Sequence, residues 1–209
     1  MPGCRYSPRM THEHHEHDHD MHDPHDHEGH HHEHVSYPDA LQAWRADKDE
    51  AFREANDSPI PAENRLGFLG LPYFPVNEAL RFEGLMLEPY AGKDPVSFQI
   101  ETTDGKLRPY VRAGTFRFKV GGAEQRLTAY STGGMESGSV FVPFMDGTTG
   151  TESYGAGRYL DLDRDPDGTY ALDFSLAYHP LCVYDPKYSC PLTPAENRLP
   201  VRIEAGERL

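Results

Sequence analysis

From Val96 onward the apolar residues fall on alternate positions. Val96, Phe98 and Ile100 alternate with Ser97, Gln99 and Glu101, and Phe116, Phe118 and Val120 alternate with Arg117 and Lys119. A period of two places one set of side chains on one face of an extended chain, so these runs predict half-buried β-strands. Asp104-Gly105 and Gly121-Gly122 supply tight turns beside them. Further strands are expected at 79–87, 106–113, 124–131 and 139–145. Tyr170, Leu172, Phe174 and Leu176 mark a late strand, reached through a turn from Asp165 to Gly168. Short strands joined by turns build an antiparallel β-sandwich or a barrel-like domain. Helices do not alternate with strands, which excludes a doubly wound parallel sheet. The expected fold is therefore mainly β, a single domain spanning 37–209.

One helix precedes the strands, expected at 38–56. Ser36 can cap it, Pro38 fits its first turn and Asp39 favours its positive end. Leu41, Trp44, Ala51 and Phe52 fall near one face, while Arg45 and Lys48 sit among acids at helical spacing. Trp44 reads as a packing anchor. The helix should stop before Asp57-Ser58-Pro59. Residues 59–75 are apolar but broken by Pro and Gly, as in an ordered loop draped over a core. The hexapeptide PAENRL occurs at 61–66 and again at 194–199. It is too short for a repeat architecture. Either the echo is chance, or both copies make the same turn, anchored by Glu63/Arg65 and Glu196/Arg198.

Residues 1–36 have a different composition. Twelve of the thirteen histidines lie here: His12, His14, His15, His17, His19, His22, His25, His27, His30, His31, His32 and His34. Asp and Glu are interleaved with them, and nothing in the run can bury a core, so a disordered tail is expected. Neutral imidazoles bind borderline divalent metals such as Zn, Ni, Co or Cu. A flexible chain can gather three or four of them around one ion, with modest affinity and poor selectivity. The tail contributes −6 of the formal net charge of −14 (Arg5 and Arg9 against eight carboxylates), leaving −8 for the rest. Protonating its twelve histidines, mostly around their ordinary pKa of about 6.5, would carry it from −6 to +6. An acidic domain repels phosphate backbones, so no nucleic-acid partner is expected. With five lysines against fifteen arginines, its surface would suit a high-salt cytosol. No run approaches the roughly 18 apolar residues of a membrane span. The N-terminus lacks the apolar stretch of a secretory signal, so a cytoplasmic location is expected.

The expected chemistry concentrates between Asp173 and Pro200, which hold the only histidine outside the tail, His179, and two of the three cysteines, Cys182 and Cys190. There is no GxSxG elbow, P-loop, HExxH or CxxC. A Cys-His dyad would have to use His179 and Cys182, across Pro180. The trio could also bind zinc with a fourth ligand such as Asp173 or Asp185. Alternatively, Cys182 and Cys190 form a disulfide, or both are buried thiols. The run from Glu152 to Tyr159 is a glycine turn ahead of a strand. It either forms an anion nest with Arg158 or simply turns the chain, with Arg158 pairing Asp161 or Asp173. Arg158, Tyr159, Asp173, Tyr178 and His179 can line one polar pocket, suited to a small polar or anionic ligand.

Several of these runs occur in the order of a known family. They are Trp44-Arg45, Lys48-Asp49 and Phe52; Asp57-Ser58-Pro59; Gly70 with Tyr73-Phe74-Pro75; Tyr154 to Leu160; Asp173-Phe174; Ala177 to Tyr184; and Cys190 to Leu199. In this order the chain resembles domain-of-unknown-function family 1684 over about residues 40–207. The resemblance implies no established activity. Family members usually carry Asn at the position of His179, which implies that His179 is not an obligatory ligand or base.

The expected function is binding of a small polar or anionic ligand in a β-sheet pocket, with a metal-collecting tail. Two rivals are a metal-dependent or hydrolytic enzyme using Asp173, Tyr178 and His179, and an interaction protein without a small-molecule site. Deleting residues 1–36 should remove most Zn²⁺ or Ni²⁺ uptake in a calorimetric titration and leave Tm unchanged. Equal uptake by the truncated chain would refute the tail assignment.

Overall fold

Helix α1 (Tyr37–Glu54) begins where the sequence offers a cap. Ser36 is extended and its hydroxyl accepts from Asp39 N at 3.3 Å. The structure, a computed structural model, describes residues 35–132 and 138–209. The histidines expected to bind metal, and the disorder expected of their run, lie outside the described residues. The helix ends at Glu54 because the next residues are captured from outside it. Ser58 Oγ donates to Phe52 O at 2.5 Å, and Arg65 Nη1 donates to Ala55 O at 3.0 Å. Leu41, Trp44, Lys48 and Phe52 form its buried stripe.

Among the described residues, seven strands follow: β1 (Arg81–Leu85), β2 (Ser97–Glu101), β3 (Leu107–Val120), β4 (Ala123–Ser131), β5 (Val140–Phe144), β6 (Arg158–Leu162) and β7 (Tyr170–Asp173). They form two antiparallel sheets, β1-β7 and β2-β3-β4-β5-β6. The domain is thus mainly β with one N-terminal helix.

The expected strands 106–113 and 116–120 are in fact one, β3. Its pairing with β4 shifts by one residue between Arg112 and Gly114. Side chains alternate with period two, so one extra residue exchanges the faces. Before the bulge, Tyr110 packs with Tyr130, Phe141, Tyr159 and Tyr178 on one face of the large sheet. Beyond it, Phe116 and Phe118 join Leu127, Val142, Phe144 and Leu160 on the other. The smaller sheet covers this second face, with Phe82 and Phe174 against Phe118. Both faces of β5 are therefore covered and all five of its residues are buried.

The late strand stops at Asp173, short of Leu176. Asp173 Oδ1 accepts from Ser175 N at 2.8 Å and tightens 174–176 into a 3-10 turn. Both PAENRL copies also turn as 3-10 helix, at Ala62–Gly67 and Ala195–Asn197, but their anchors differ. Arg65 holds the first through Ala55 O and Ile60 O. In the second, Arg198 is exposed, while Glu196 accepts from Arg112 and Tyr130 and Asn197 adds further anchors. Its amide donates to Thr128 O and Pro143 O and accepts from Thr128 N.

The C-terminal segment closes the domain, with Ile203 and Ala205 fully buried. Gly206 lets it pass at φ 78°, where an added Cβ would lie 2.6 Å from Ala177 O and 2.7 Å from Phe174 O. Gly206→Ala combines left-handed strain with a backbone clash and should destabilise the domain by about 2–4 kcal/mol, read from the urea unfolding midpoint.

Candidate functional site

The inner face of α1 carries three polar heads besides its apolar stripe: Tyr37, Arg45 and Lys48. Each meets a different part of the domain.

Lys48 meets Glu207. Its Nζ donates to Glu207 Oε1 at 2.7 Å, with both side chains 1% exposed. The ammonium also lies 5.1–5.5 Å from the ring centres of Trp44, Phe52 and Tyr178. Glu207 Oε2 accepts from His179 N at 2.7 Å and from the Tyr184 hydroxyl at 2.9 Å. Burial opposes the Glu207 charge, yet Lys48 and then His179 outweigh it and hold the carboxyl below its ordinary range. Tyr184 is pushed well up, first by burial and then by the Glu207 charge.

His179 borders the same cluster. Its Nε2 accepts from Tyr154 N at 3.2 Å, which places the imidazole proton on Nδ1, 3.7 Å from Glu207 Oε2. Burial lowers its pKa to about 4; Glu207 opposes this, while Arg158 and Lys48 add to it.

Arg158 is fully buried, and its terminal nitrogens are directed at the C-terminal segment. Nη1 donates to Ala205 O at 2.5 Å and Glu207 O at 3.1 Å. Nη2 donates to Ile203 O at 2.8 Å and lies 3.3 Å from Asp146 Oδ1. The anion-nest reading of 152–159 meets the same outcome. The N–H groups of Glu152 and Ser153 donate to Thr148 O, and that of Gly157 to Tyr154 O.

Tyr159 and Tyr178 pair through both backbone hydrogen bonds, at 2.9 and 3.0 Å. Their hydroxyls donate to Pro191 O and to Asp161 Oδ2. Asp173 lies apart from these. Its Oδ2 accepts from the Tyr37 hydroxyl at 2.7 Å and sits 3.8 Å from Arg81 Nε, whose guanidinium stacks on Tyr37 at 4.3 Å. Burial raises the Tyr37 pKa; the Ser175 hydroxyl opposes the rise and Asp173 adds to it. Of the five residues expected in one pocket, Arg158 and His179 therefore meet at Glu207, Tyr159 and Tyr178 belong to the aromatic face, and Asp173 joins α1 through Tyr37.

Arg45 lies between the two charged clusters. Its guanidinium stacks on Tyr73 at 4.2 Å, and Nη1 reaches only Phe74 O at 3.5 Å. Among the described residues, its Nε and Nη2 are buried without a hydrogen-bond partner. Burial lowers the Arg45 pKa, while Tyr73, Tyr37, Asp173 and Glu207 oppose that shift. A buried guanidinium with two undirected nitrogens is costly and presents a fork suited to a carboxylate or phosphate. Sequence reasoning placed Arg45 and Lys48 among acids. Their spacing from Leu41, Trp44 and Phe52 puts them instead on the apolar face, and that was the available signal. Glu207 had none, because it lies in a short C-terminal run without periodicity.

Among the described residues, no three His, Cys, Asp or Glu side chains are grouped to hold a metal ion, so His179, Cys182 and Cys190 do not form the zinc site considered above. No described helix is long and apolar enough to cross a membrane.

A family model described as "Protein of unknown function (DUF1684)" matches residues 66–208, and the chain belongs to that family. It is similar to an uncharacterized protein of Haloarcula marismortui whose solution NMR structure matches with a TM-score of 0.61. Sequence identity is 40%, over 81% of this chain and 92% of that one. The comparison with curated proteins returned no match.

The His179 geometry has a measurable consequence. Its folded pKa of about 4 lies below the unfolded value. The unfolded chain therefore binds the proton first, and stability present above about pH 6.5 is lost as pH falls toward 4. Urea unfolding should show a loss of about 2 kcal/mol between pH 7 and pH 5. His179→Asn, which keeps an acceptor for Tyr154 N, should flatten that slope.

Proposed function

We propose that the domain binds a small oxyanion, a carboxylate or phosphate group, on the Arg45 guanidinium, with Ser175 and Tyr37 beside it. The single observation behind this reading is the pair of buried Arg45 nitrogens without partners. An oxyanion would satisfy both at once and neutralise a cation now held by stacking and distant carboxylates. Asp173 supports the site by holding the Tyr37 hydroxyl. Glu207 adds its charge to the surroundings of Arg45, and Arg158 fixes the segment that carries Glu207. Tyr159 and Tyr178 brace the strand and turn behind it.

Binding is favoured over hydrolysis because the groups a hydrolase would use are already engaged. His179 Nε2 accepts a backbone N–H, and the Tyr178 hydroxyl donates to Asp161. The proposal keeps the histidine-rich tail as a separate collector of Zn, Ni, Co or Cu ions.

Titration of the ¹⁵N-labelled protein with inorganic phosphate and, in parallel, with acetate tests the site. Saturable shifts should appear at Arg45 Nε and at the Ser175 and Tyr73 amides with at least one anion. Arg45→Gln should weaken that binding roughly tenfold or more, as expected for loss of a charge-assisted pair. The exposed Arg117→Gln should leave it unchanged. Shifts that follow ionic strength alone, or survive Arg45→Gln, would refute the reading.

A further inference from the structure

We propose that Cys182 and Cys190 form a peroxide-responsive dithiol–disulfide pair, in which Cys182 is oxidised first and Cys190 resolves it. The pair is assembled from two parts of the fold. Cys182 lies in the 3-10 turn Leu181–Val183. Cys190 is pinned to the loop after β2: its N–H donates to Thr103 Oγ1 at 3.1 Å, and its carbonyl accepts from Thr103 N at 2.8 Å. The Cys182 backbone N–H points at Cys190 Sγ at 3.4 Å, and the two thiols are hydrogen-bonded to each other. Neither is bridged.

Their exposures differ in the way a two-thiol sequence needs. Cys182 is half-buried, whereas Cys190 is fully buried. The Tyr154 and Thr103 side chains also hydrogen-bond the Cys182 sulfur. The Cys190 contact is the largest influence pulling the Cys182 thiol down to about 6, against burial, with Tyr154 and Thr103 assisting. A thiolate in this setting is the nucleophilic form of the residue.

The chemistry balances with a hydroperoxide as oxidant. The Cys182 thiolate attacks one peroxide oxygen, so an S–O bond forms and the O–O bond breaks. The departing hydroxide or alkoxide takes a proton and leaves as water or alcohol. Cys190, its proton passing to solvent, then attacks the Cys182 sulfur. The S–S bond forms, the S–O bond breaks, and the sulfenic oxygen leaves as water. Two thiols have given two electrons to the peroxide, and a dithiol reductant reverses the change. The closed loop carries Tyr184, whose hydroxyl bonds Glu207, while Tyr154 contacts both Cys182 and His179. The redox state of the pair is therefore in direct contact with the buried charge cluster.

The test uses the full chain, in which Cys4 is an internal reference thiol. After brief hydrogen peroxide treatment, non-reducing peptide mapping should find Cys182 joined to Cys190, with the mass of two hydrogens lost. Dithiothreitol should restore it. Loss of the Cys182 thiol should outpace that of Cys4 roughly tenfold or more. With Cys190→Ser, dimedone should trap a sulfenic acid at Cys182, and with Cys182→Ser the remaining Cys190 should stay unmodified. Cys182 reacting no faster than Cys4 in the unaltered chain, or passing to the sulfinic acid without a bridge, would overturn the proposal.

Discussion

The Glu207 carboxylate lies out of reach of solvent, where a charge persists only when opposite charge and hydrogen bonds surround it. Lys48 supplies the charge from the first helix, and the His179 N–H and the Tyr184 hydroxyl supply the remaining donors. Such a pair adds little over a well-packed apolar substitute, but removing one partner strands the other, at a cost of about 3–5 kcal/mol. Its effect is therefore one of position. It ties residue 48 to residue 207 and so fixes where α1 lies on the sheets.

Arg158 works on the same segment from the opposite side. Its fork takes the carbonyls of Ile203, Ala205 and Glu207, and Asp146 accepts from Ile203 N at 2.7 Å while facing the guanidinium. A segment that forms no strand, only a single bridge from Glu207 to Tyr73, thus has its backbone groups satisfied in the core, as burial demands. The contrast with Arg45 is informative. Both guanidiniums lie against aromatic rings and both have a buried Nε without a partner, but the terminal nitrogens of Arg158 are directed at five oxygens, whereas Nη2 of Arg45 is directed at none. Arginine alone does not mark a binding site; a whole edge of its fork left without internal acceptors does.

Much of the fold was legible because its causes are local. The Ser36 cap, the alternation through β2, β3 and β4, and the glycine turns each act within a few residues. Where the reading slipped, one residue was responsible. The extra residue at the bulge near Ala113 exchanges the faces of β3 without breaking the strand, and the Asp173 carboxylate ends β7 by capturing Ser175 N. The candidate site was less legible. His179 and Asp173 were singled out as reactive types, yet the tertiary structure directs one at a backbone N–H and the other at Tyr37.

The amino-acid sequence by itself determined the class of fold and the family. Composition, periodicity and turn chemistry are properties of neighbouring residues, so they can be read along the chain. Only the tertiary structure decided which charged groups are compensated. That Glu207 meets Lys48 across 159 positions, and that Nε and Nη2 of Arg45 are left without an acceptor, depends on how helix, sheets and C-terminal segment close on one another. No local pattern encodes that closure, because the energy of a buried charge is set by what surrounds it in space.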